Sequence, residues 1–247
     1  MDRVWPKLGD VLLVLLAVVV GAAAVAVSLG YGLRDAPATA DSLAPVPSAS
    51  PDMTEQVQAL FFGGSVVAGA SRTPGTPTFA EVAAVQLGWR AEVDGRQSAG
   101  LTVGGPRRLT ELLPADLDEP KPDVVVVQGG ESDTAATPAE VRAAVAELAA
   151  TLRESYGLAT RLVLVGPYSP VAEPSDEIVA VRDAMRTAAK AASLHFFDPL
   201  ESAWVSASDP AGLVDGGTRL PTSDGHLKIG RLLAASLETL KVVPSAG

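Results

Sequence analysis

Short apolar runs alternate with segments of helical periodicity along residues 54–243. Apolar runs at residues 58–62, 90–93, 123–128, 161–165 and 194–197 predict β-strands, each followed by turn residues or a helix. Helical spacing predicts helices at residues 79–87, 106–113, 138–156, 175–192 and 229–240. Because strands that alternate with helices form parallel βαβ units, we expect a three-layer α/β/α sandwich with about five parallel strands.

Two of these elements are the most clearly marked. The run DVVVVQ at residues 123–128 is apolar apart from its ends, which is typical of a parallel strand covered on both faces. The helix at residues 138–156 has Thr137 as a cap, Pro138 in its first turn and Glu140 at the capping-box position. These two segments place one strand and the helix that follows it.

The most hydrophobic segment lies before the domain. Residues 11–29 read VLLVLLAVVVGAAAVAVSL without a charge, close to the ~20 residues that a helix needs to span a bilayer. We expect residues 1–34 to form a transmembrane signal-anchor, with a cleaved signal peptide as the alternative. Arg3 and Lys7 precede the segment and Arg34 alone follows it closely, which predicts a cytoplasmic N-terminus and an extracytoplasmic domain, or a secreted one after cleavage.

Residues 35–53 form a different kind of segment, dominated by Ala, Pro, Ser and Asp without periodicity. Such a composition buries too little apolar surface to offset the entropy of ordering, so we expect a disordered linker. The remaining residues 54–243 have the length of one domain.

Composition narrows the classes of function. The 247 residues carry 19 Lys+Arg against 29 Asp+Glu, a net charge of −10, which argues against a nucleic-acid partner. The chain has no cysteine and only two histidines, so disulfides, thiolate chemistry and Cys- or His-rich metal sites are excluded.

The carboxyl ends of parallel strands are the place to search for a site. Ser65 follows the first strand and two glycines, a suitable position for a nucleophile at the start of a helix, although a plain capping serine explains the same pattern. Ser132 in GGESD follows the strand at residues 123–128 and can donate to an oxyanion or simply belong to a turn. Gly100, after the second strand, offers a further backbone donor.

The two histidines differ in their surroundings. His226 lies in SDGH, which we interpret as a polar loop just before the last helix, with Asp224 two residues away to orient the ring. A solvated loop residue is the alternative interpretation. His195 lies inside the apolar run LHFF and is expected to be structural, so His226 is the candidate general base.

Taken in this order, the motifs resemble the SGNH/GDSL hydrolase family of esterases and acyl hydrolases, from residue 60 to about residue 235. FFGGSVVAGA resembles the first block and implies that Ser65 is the nucleophile. DGRQSAGL resembles the second block and implies an oxyanion-hole amide at Gly100, with Gly104 as the alternative. The family has a flavodoxin-like α/β/α fold, which agrees with the layers expected above.

The last two blocks carry the rest of the resemblance. GESD resembles the third block, with Ser132 where the family usually has an oxyanion-hole asparagine, and SDGH resembles the last block, implying His226 as base. This chain also has Gly64 where an aspartate is usual. Asp224 stands two residues before the histidine instead of three, so either Asp224 orients the ring or no carboxylate does.

Together with the apolar segment at residues 11–29, the resemblance implies a membrane-tethered serine esterase. It would hydrolyse an ester or O-acyl group through an acyl-enzyme, with no metal or organic cofactor. Its substrate would be a small ester, an acylated glycan or a lipid, and its N-terminal helix would contact the membrane. The three departures from the family motifs favour an alternative, a weak or inactive domain that binds a cell-envelope glycan or acyl ligand without turnover.

Overall fold

Five parallel strands form one sheet at the centre of the domain, in the order β2-β1-β3-β4-β5. The computed structural model describes residues 56–113, 121–169, 173–205, 209 and 212–244. The strands are β1 (Gln58–Gly63), β2 (Arg90–Gly95), β3 (Val124–Gln128), β4 (Arg161–Val165) and β5 (His195–Phe197). This confirms the expected sheet, and its order is that of a flavodoxin-like fold.

The register of the sheet follows from its all-parallel pairing. Leu60 of β1 lies opposite Glu92 of β2 and Val125 of β3, and Val163 of β4 lies opposite His195 of β5. Every residue of β3 is buried, as its nearly continuous valine sequence predicts for a strand covered on both faces. All five strands therefore start at one edge of the sheet and end at the other.

Four α-helices cover the two faces: α1 (Phe79–Leu87), α2 (Pro138–Tyr156), α3 (Asp176–Ala191) and α4 (Ser223–Glu238). α2 and α3 pack on one face, against side chains that include Leu60, Phe62 and Val125. α1 and α4 pack on the other face, against side chains that include Phe61 and Val126. The alternation along each strand thus divides the core into two layers of apolar contacts.

Capping fixes where the helices begin. Thr78 and Thr137 each form a capping box with the glutamate three residues later, and Thr222 accepts a hydrogen bond from the Gly225 amide at the start of α4. Such caps satisfy backbone donors that no helix can pair internally. The boundaries of α1 and α2 agree with the prediction for this reason.

Three predicted helical features are wrong. Residues 106–113 form two short 3₁₀ turns, Gly105–Arg107 and Leu109–Leu112, since the segment between Gly105 and Pro114 is too short for a stable α-helix. The residues after Ser65 form hydrogen-bonded turns instead of a helix. The last helix begins at Ser223 and not at residue 229, because Thr222 caps it before the sequence SDGH.

The predicted transmembrane segment at residues 11–29 and the linker at residues 35–53 lie outside the described residues. Within the described part of the chain, no helix has the length and hydrophobicity to cross a membrane.

Candidate active site

Ser65 lies immediately beyond β1, at the edge of the sheet where the strands end. Its side chain is half-buried, and its Oγ accepts a hydrogen bond of 2.9 Å from the backbone amide of Ser98. Ser98 belongs to the loop of residues 96–100 that follows β2, and its φ of 59° is the left-handed conformation that few non-glycine residues adopt. The carboxyl ends of β1 and β2 thus meet at the hydroxyl of Ser65.

Gly64 permits this close approach of the two loops. A Cβ atom at Gly64 would lie 2.8 Å from the carbonyl oxygen of Ala99, closer than side-chain carbons normally approach an oxygen. The glycine that departs from the usual family aspartate therefore accommodates the loop of residues 96–100 as it lies here.

The loop after β3 joins the same cluster. A Cβ atom at Gly100 would lie 3.1 Å from Ser132 Cβ and 3.0 Å from Asp133 Oδ1, so Gly100 packs directly on the turn that contains Ser132. The buried Asp133 carboxylate accepts hydrogen bonds from the amides of Leu101 and Thr102, at 3.0 and 2.7 Å. Asp133 thereby holds the segment after Gly100 in place.

The structure brings Ser65, Gly100 and Ser132 to one edge, but their donors are not equally available. The Gly100 amide donates to the carbonyl oxygen of Arg107 at 3.1 Å, so it is already paired. Ser132 is exposed, and the alternative Gly104 is an exposed loop residue with open space around it. The amide of Ser65 itself makes no hydrogen bond to another described residue, which leaves it available to an oxyanion.

His226 occupies a different environment from the expected polar loop. It lies in the first turn of α4, is completely buried, and stacks on the ring of Phe79 with 5.9 Å between ring centroids. Its Nδ1 accepts a hydrogen bond of 3.1 Å from the Phe79 amide, the first amide of α1. The predicted loop location was wrong because Thr222 caps α4 and brings the histidine inside the helix.

The hydrogen bond from Phe79 also fixes the protonation of the ring. Since Nδ1 accepts, the neutral imidazole carries its hydrogen on Nε2, and Nε2 is buried without a hydrogen-bond partner in the described part of the chain. Burial, and then the nearby Arg72 guanidinium, lower the pKa of His226 to about 4. His226 is therefore neutral near pH 7, with neither ring nitrogen hydrogen-bonded to Ser65.

No hydrogen bond joins Asp224 to this ring. The Asp224 side chain is exposed on the first turn of α4, His226 Nδ1 accepts from Phe79, and Nε2 has no partner among the described residues. Ser223, the residue three before the histidine, accepts from the Thr73 amide at 3.0 Å instead. Ser65, His226 and Asp224 are consequently not joined by hydrogen bonds, and their catalytic roles stay predictions.

One acidic residue at this edge was missed by the sequence reasoning. The Glu131 carboxylate accepts hydrogen bonds from Gln128 Nε2 at 2.6 Å and from the Tyr168 amide at 3.2 Å. Burial raises the pKa of Glu131 to about 7, against the opposing effect of these hydrogen bonds. Tyr168 in turn donates from its hydroxyl to the carbonyl oxygen of Arg219 at 2.7 Å, which ties the end of β4 to the segment before α4. The sequence signal that could have identified Glu131 was a carboxylate shortly after the end of a buried strand.

The sequence of the domain matches a model of a known protein family. Residues 61–228 match the GDSL-like lipase/acylhydrolase family, so the chain belongs to that family. Family membership supports an ester hydrolase function. A search of curated protein sequences finds no match.

Solved structures share the fold at low sequence identity. A carbohydrate acetylesterase from Sinorhizobium meliloti is 16% identical with a TM-score of 0.57, over 75% of this chain and 100% of that one. The inhibitor-bound aryl esterase of M. smegmatis is 18% identical with a TM-score of 0.58, over 74% and 99% of the two chains. A family two carbohydrate esterase from Clostridium thermocellum in complex with cellohexaose is 14% identical with a TM-score of 0.59, over 75% and 65%.

Proposed function

We propose that the domain is a slow serine ester hydrolase that acts on a small ester or a carbohydrate O-acetyl group. The observation that carries this proposal is the half-buried Ser65 hydroxyl, held by the Ser98 amide at the strand-end edge of a chain that belongs to an acylhydrolase family. The carbohydrate substrate class is suggested by the printed names of structural neighbours.

In the proposed reaction Ser65 Oγ attacks the carbonyl carbon and forms the new C–O bond, while its proton passes to water. In this proposal the oxyanion accepts from the Ser65 amide, which no other described residue pairs, and from the hydroxyl of Ser132 at the same edge. Collapse of the tetrahedral intermediate breaks the bond to the alcohol, which leaves with a proton from water, and a second water hydrolyses the acyl-enzyme. No cofactor is required.

We infer that turnover is slow because no imidazole or carboxylate is hydrogen-bonded to Ser65 Oγ within the described ranges. A positioned general base contributes about 10²–10⁴-fold to such reactions. Binding and oxyanion stabilisation alone retain roughly 10³–10⁴-fold over water when a triad is removed. The same observation favours a second candidate function, binding of an acyl or glycan ligand without turnover.

Hydrolysis of p-nitrophenyl acetate by the wild type, by Ser65→Ala and by the control Ser236→Ala tests the proposal. Ser236 suits the control because its hydroxyl donates to the Leu232 carbonyl within α4, away from the site. We expect Ser65→Ala to abolish the enzymatic rate and Ser236→Ala to retain it. Equal inertness of wild type and Ser65→Ala, together with no labelling of the wild type by a fluorophosphonate, would leave only ligand binding.

His226→Asn tests the slow mechanism separately, since the Asn Oδ1 can replace Nδ1 as acceptor for the Phe79 amide. Without a role as base, the variant should keep its rate within about threefold. A loss of about 10² or more would identify His226 as the base and refute the proposed mechanism.

We further propose that the chain is anchored in the membrane by residues 11–29, with the domain outside the cytoplasm. The uncharged apolar run and the basic residues before it support this topology. Alkaline carbonate extraction should leave the full-length chain in the membrane fraction, and protease added to intact cells should digest the domain. Release by carbonate, or protection until the cells are lysed, would contradict the proposed topology.

A further inference from the structure

A polar cavity lies at the edge of the sheet where the strands begin, at the opposite end of the strands from Ser65. Its volume is about 240 Å³, and it lies between the end of α2 and the starts of β4 and β5. The basic side chains in its lining are those of Arg153, Arg161 and His195. We call it the amino-edge cavity. Pockets for drug-sized ligands are larger, about 300–1,000 Å³, so this one suits a small group.

The charges around the amino-edge cavity are unbalanced. Arg161 Nη1 lies 3.3 Å from His195 Nε2, and Arg153 Nη1 donates to the Thr160 carbonyl at 2.8 Å. No acidic residue lines the cavity, and neither arginine forms an ion pair with any residue that the structure describes. Two arginines that line one cavity without an acidic neighbour leave a local excess of positive charge, which a bound anion would balance.

A buried acid at this edge, Asp123, has a partner on β1. The Asp123 carboxylate, at the start of β3, accepts a hydrogen bond of 2.7 Å from the Gln58 amide of β1. It is therefore directed to the neighbouring strand, and it does not line the cavity.

We propose that the amino-edge cavity binds a phosphate group. Arginine guanidinium groups match phosphate oxygens in geometry and charge, and the Ser193 hydroxyl in the lining can add a neutral donor. The phosphate comes either from solution or from an anionic lipid headgroup.

His195 reports on occupancy of the cavity. Partial burial, and then Arg161, lower the pKa of His195 below its ordinary value. A phosphate bound beside the ring favours the charged imidazolium and raises this pKa. Because the chain has only two histidines, the ring signals in an NMR titration are readily assigned with a single His195→Asn variant.

The experiment uses the full-length chain in neutral detergent micelles and follows the His195 ring signals during pH titration. One arm adds inorganic phosphate, and the other replaces part of the detergent by phosphatidylglycerol or, for comparison, phosphatidylcholine. We expect phosphate to raise the pKa of His195, and Arg161→Gln to weaken phosphate binding by about tenfold or more. Arg231→Gln, which removes an equal charge from an exposed position of α4 outside the cavity, should bind like the wild type.

The two arms distinguish the source of the phosphate. A rise in the pKa of His195 with phosphatidylglycerol and not with phosphatidylcholine supports a lipid headgroup, and a rise with inorganic phosphate alone supports a free ligand. Absence of a response in both arms, or equal weakening by Arg161→Gln and Arg231→Gln, would overturn the proposal. Ester hydrolysis at Ser65 is measured independently, so either proposal can fail alone.

Discussion

Because His226 is buried as the neutral imidazole, we expect the stability of the protein to depend on pH. In the unfolded chain a histidine titrates near 6.5, whereas in the folded protein the pKa of His226 is about 4. Between these values the unfolded state binds a proton that the folded state does not. The contribution of His226 to the free energy of unfolding is therefore fully present above about pH 6.5 and declines as the pH falls towards 4.

The size of the effect follows from the difference in pKa. Each unit corresponds to about 1.4 kcal/mol, so the full loss is about 3 kcal/mol, with about 2–3 kcal/mol of it reached by pH 4.5. A typical domain has a total stability of about 5–15 kcal/mol. The loss is consequently large enough to measure.

Burial is the main cause of the lowered pKa, and the hydrogen bond to α1 also favours the neutral ring. Protonation would put a hydrogen on Nδ1, opposite the N–H of Phe79, and so replace a hydrogen bond by two facing donors. Arg72 adds a positive charge nearby, and only the more weakly acting Glu81 opposes it. All three influences that dominate His226 therefore favour the neutral ring.

The assay compares urea unfolding of the wild type and His226→Asn by circular dichroism at pH 7 and pH 4.5. The variant also loses packing, but that loss is the same at both pH values. The difference in free energy of unfolding between the two proteins therefore changes with pH only through protonation of His226. We expect the stability advantage of the wild type to shrink by about 2–3 kcal/mol on acidification. His195→Asn, at an exposed position, is the matched control and should change the pH dependence much less.

A stability difference that stays constant between pH 7 and pH 4.5 would refute this reasoning. So would an NMR titration of the His226 ring near its ordinary pKa, since it would show that the ring reaches solvent. Either result would mean that the His226 ring takes up a proton more easily than its buried position implies.

Four further predictions concern the edge near Ser65 and the core. Glu131, whose folded pKa of about 7 exceeds its unfolded value, has the opposite sign: stability should fall as the pH rises from 5 to 8, and urea unfolding of Glu131→Gln should lack this fall. Asp133→Asn removes a buried charged acceptor and should lower the free energy of unfolding by about 3 kcal/mol, measured at pH 7; a loss below 1 kcal/mol would contradict the role of Asp133. Gly64→Asp should displace the loop at Ala99 and cost about 1–3 kcal/mol in the same assay, whereas unchanged amide NMR shifts in that loop would show that the side chain is accommodated. Leu148→Ala, in the buried layer under α2, should cost about 2–5 kcal/mol, and a smaller loss would mean that the layer can collapse around the cavity.

Periodicity predicted most of the fold because local signals and tertiary packing agree there. The helix at residues 138–156 has its cap, its first-turn proline and its apolar face in the sequence, and the structure begins and ends it at the same residues. β3, with four valines followed by Gln128, is equally well marked. Family membership, too, followed from motifs that are spread along the chain and retain their order.

The details of the site depended on one helix boundary. SDGH has the composition of a turn, and the cap that converts it into helix is Thr222, whose hydroxyl accepts from the Gly225 amide. Composition alone does not distinguish such a cap from a turn residue, since serine, threonine and aspartate serve in both. That one boundary moved His226 from solvent into a buried contact with Phe79.

Long-range pairings were also beyond the sequence. The Ser98 amide meets Ser65, and Glu131 meets Tyr168, only because parallel strands end at a common edge. Residue spacing predicts which loops share that edge but does not predict which backbone amide each side chain accepts.

The left-handed backbone of Ser98 has a consequence for engineering. A non-glycine residue in such a conformation costs of the order of 1–3 kcal/mol. Ser98→Gly would relieve this cost and keep the amide that Ser65 accepts from, so a more stable protein is available by one change next to the candidate nucleophile. The same glycine would make the loop more mobile. A change that raises thermal stability at this position would therefore loosen the orientation of Ser65.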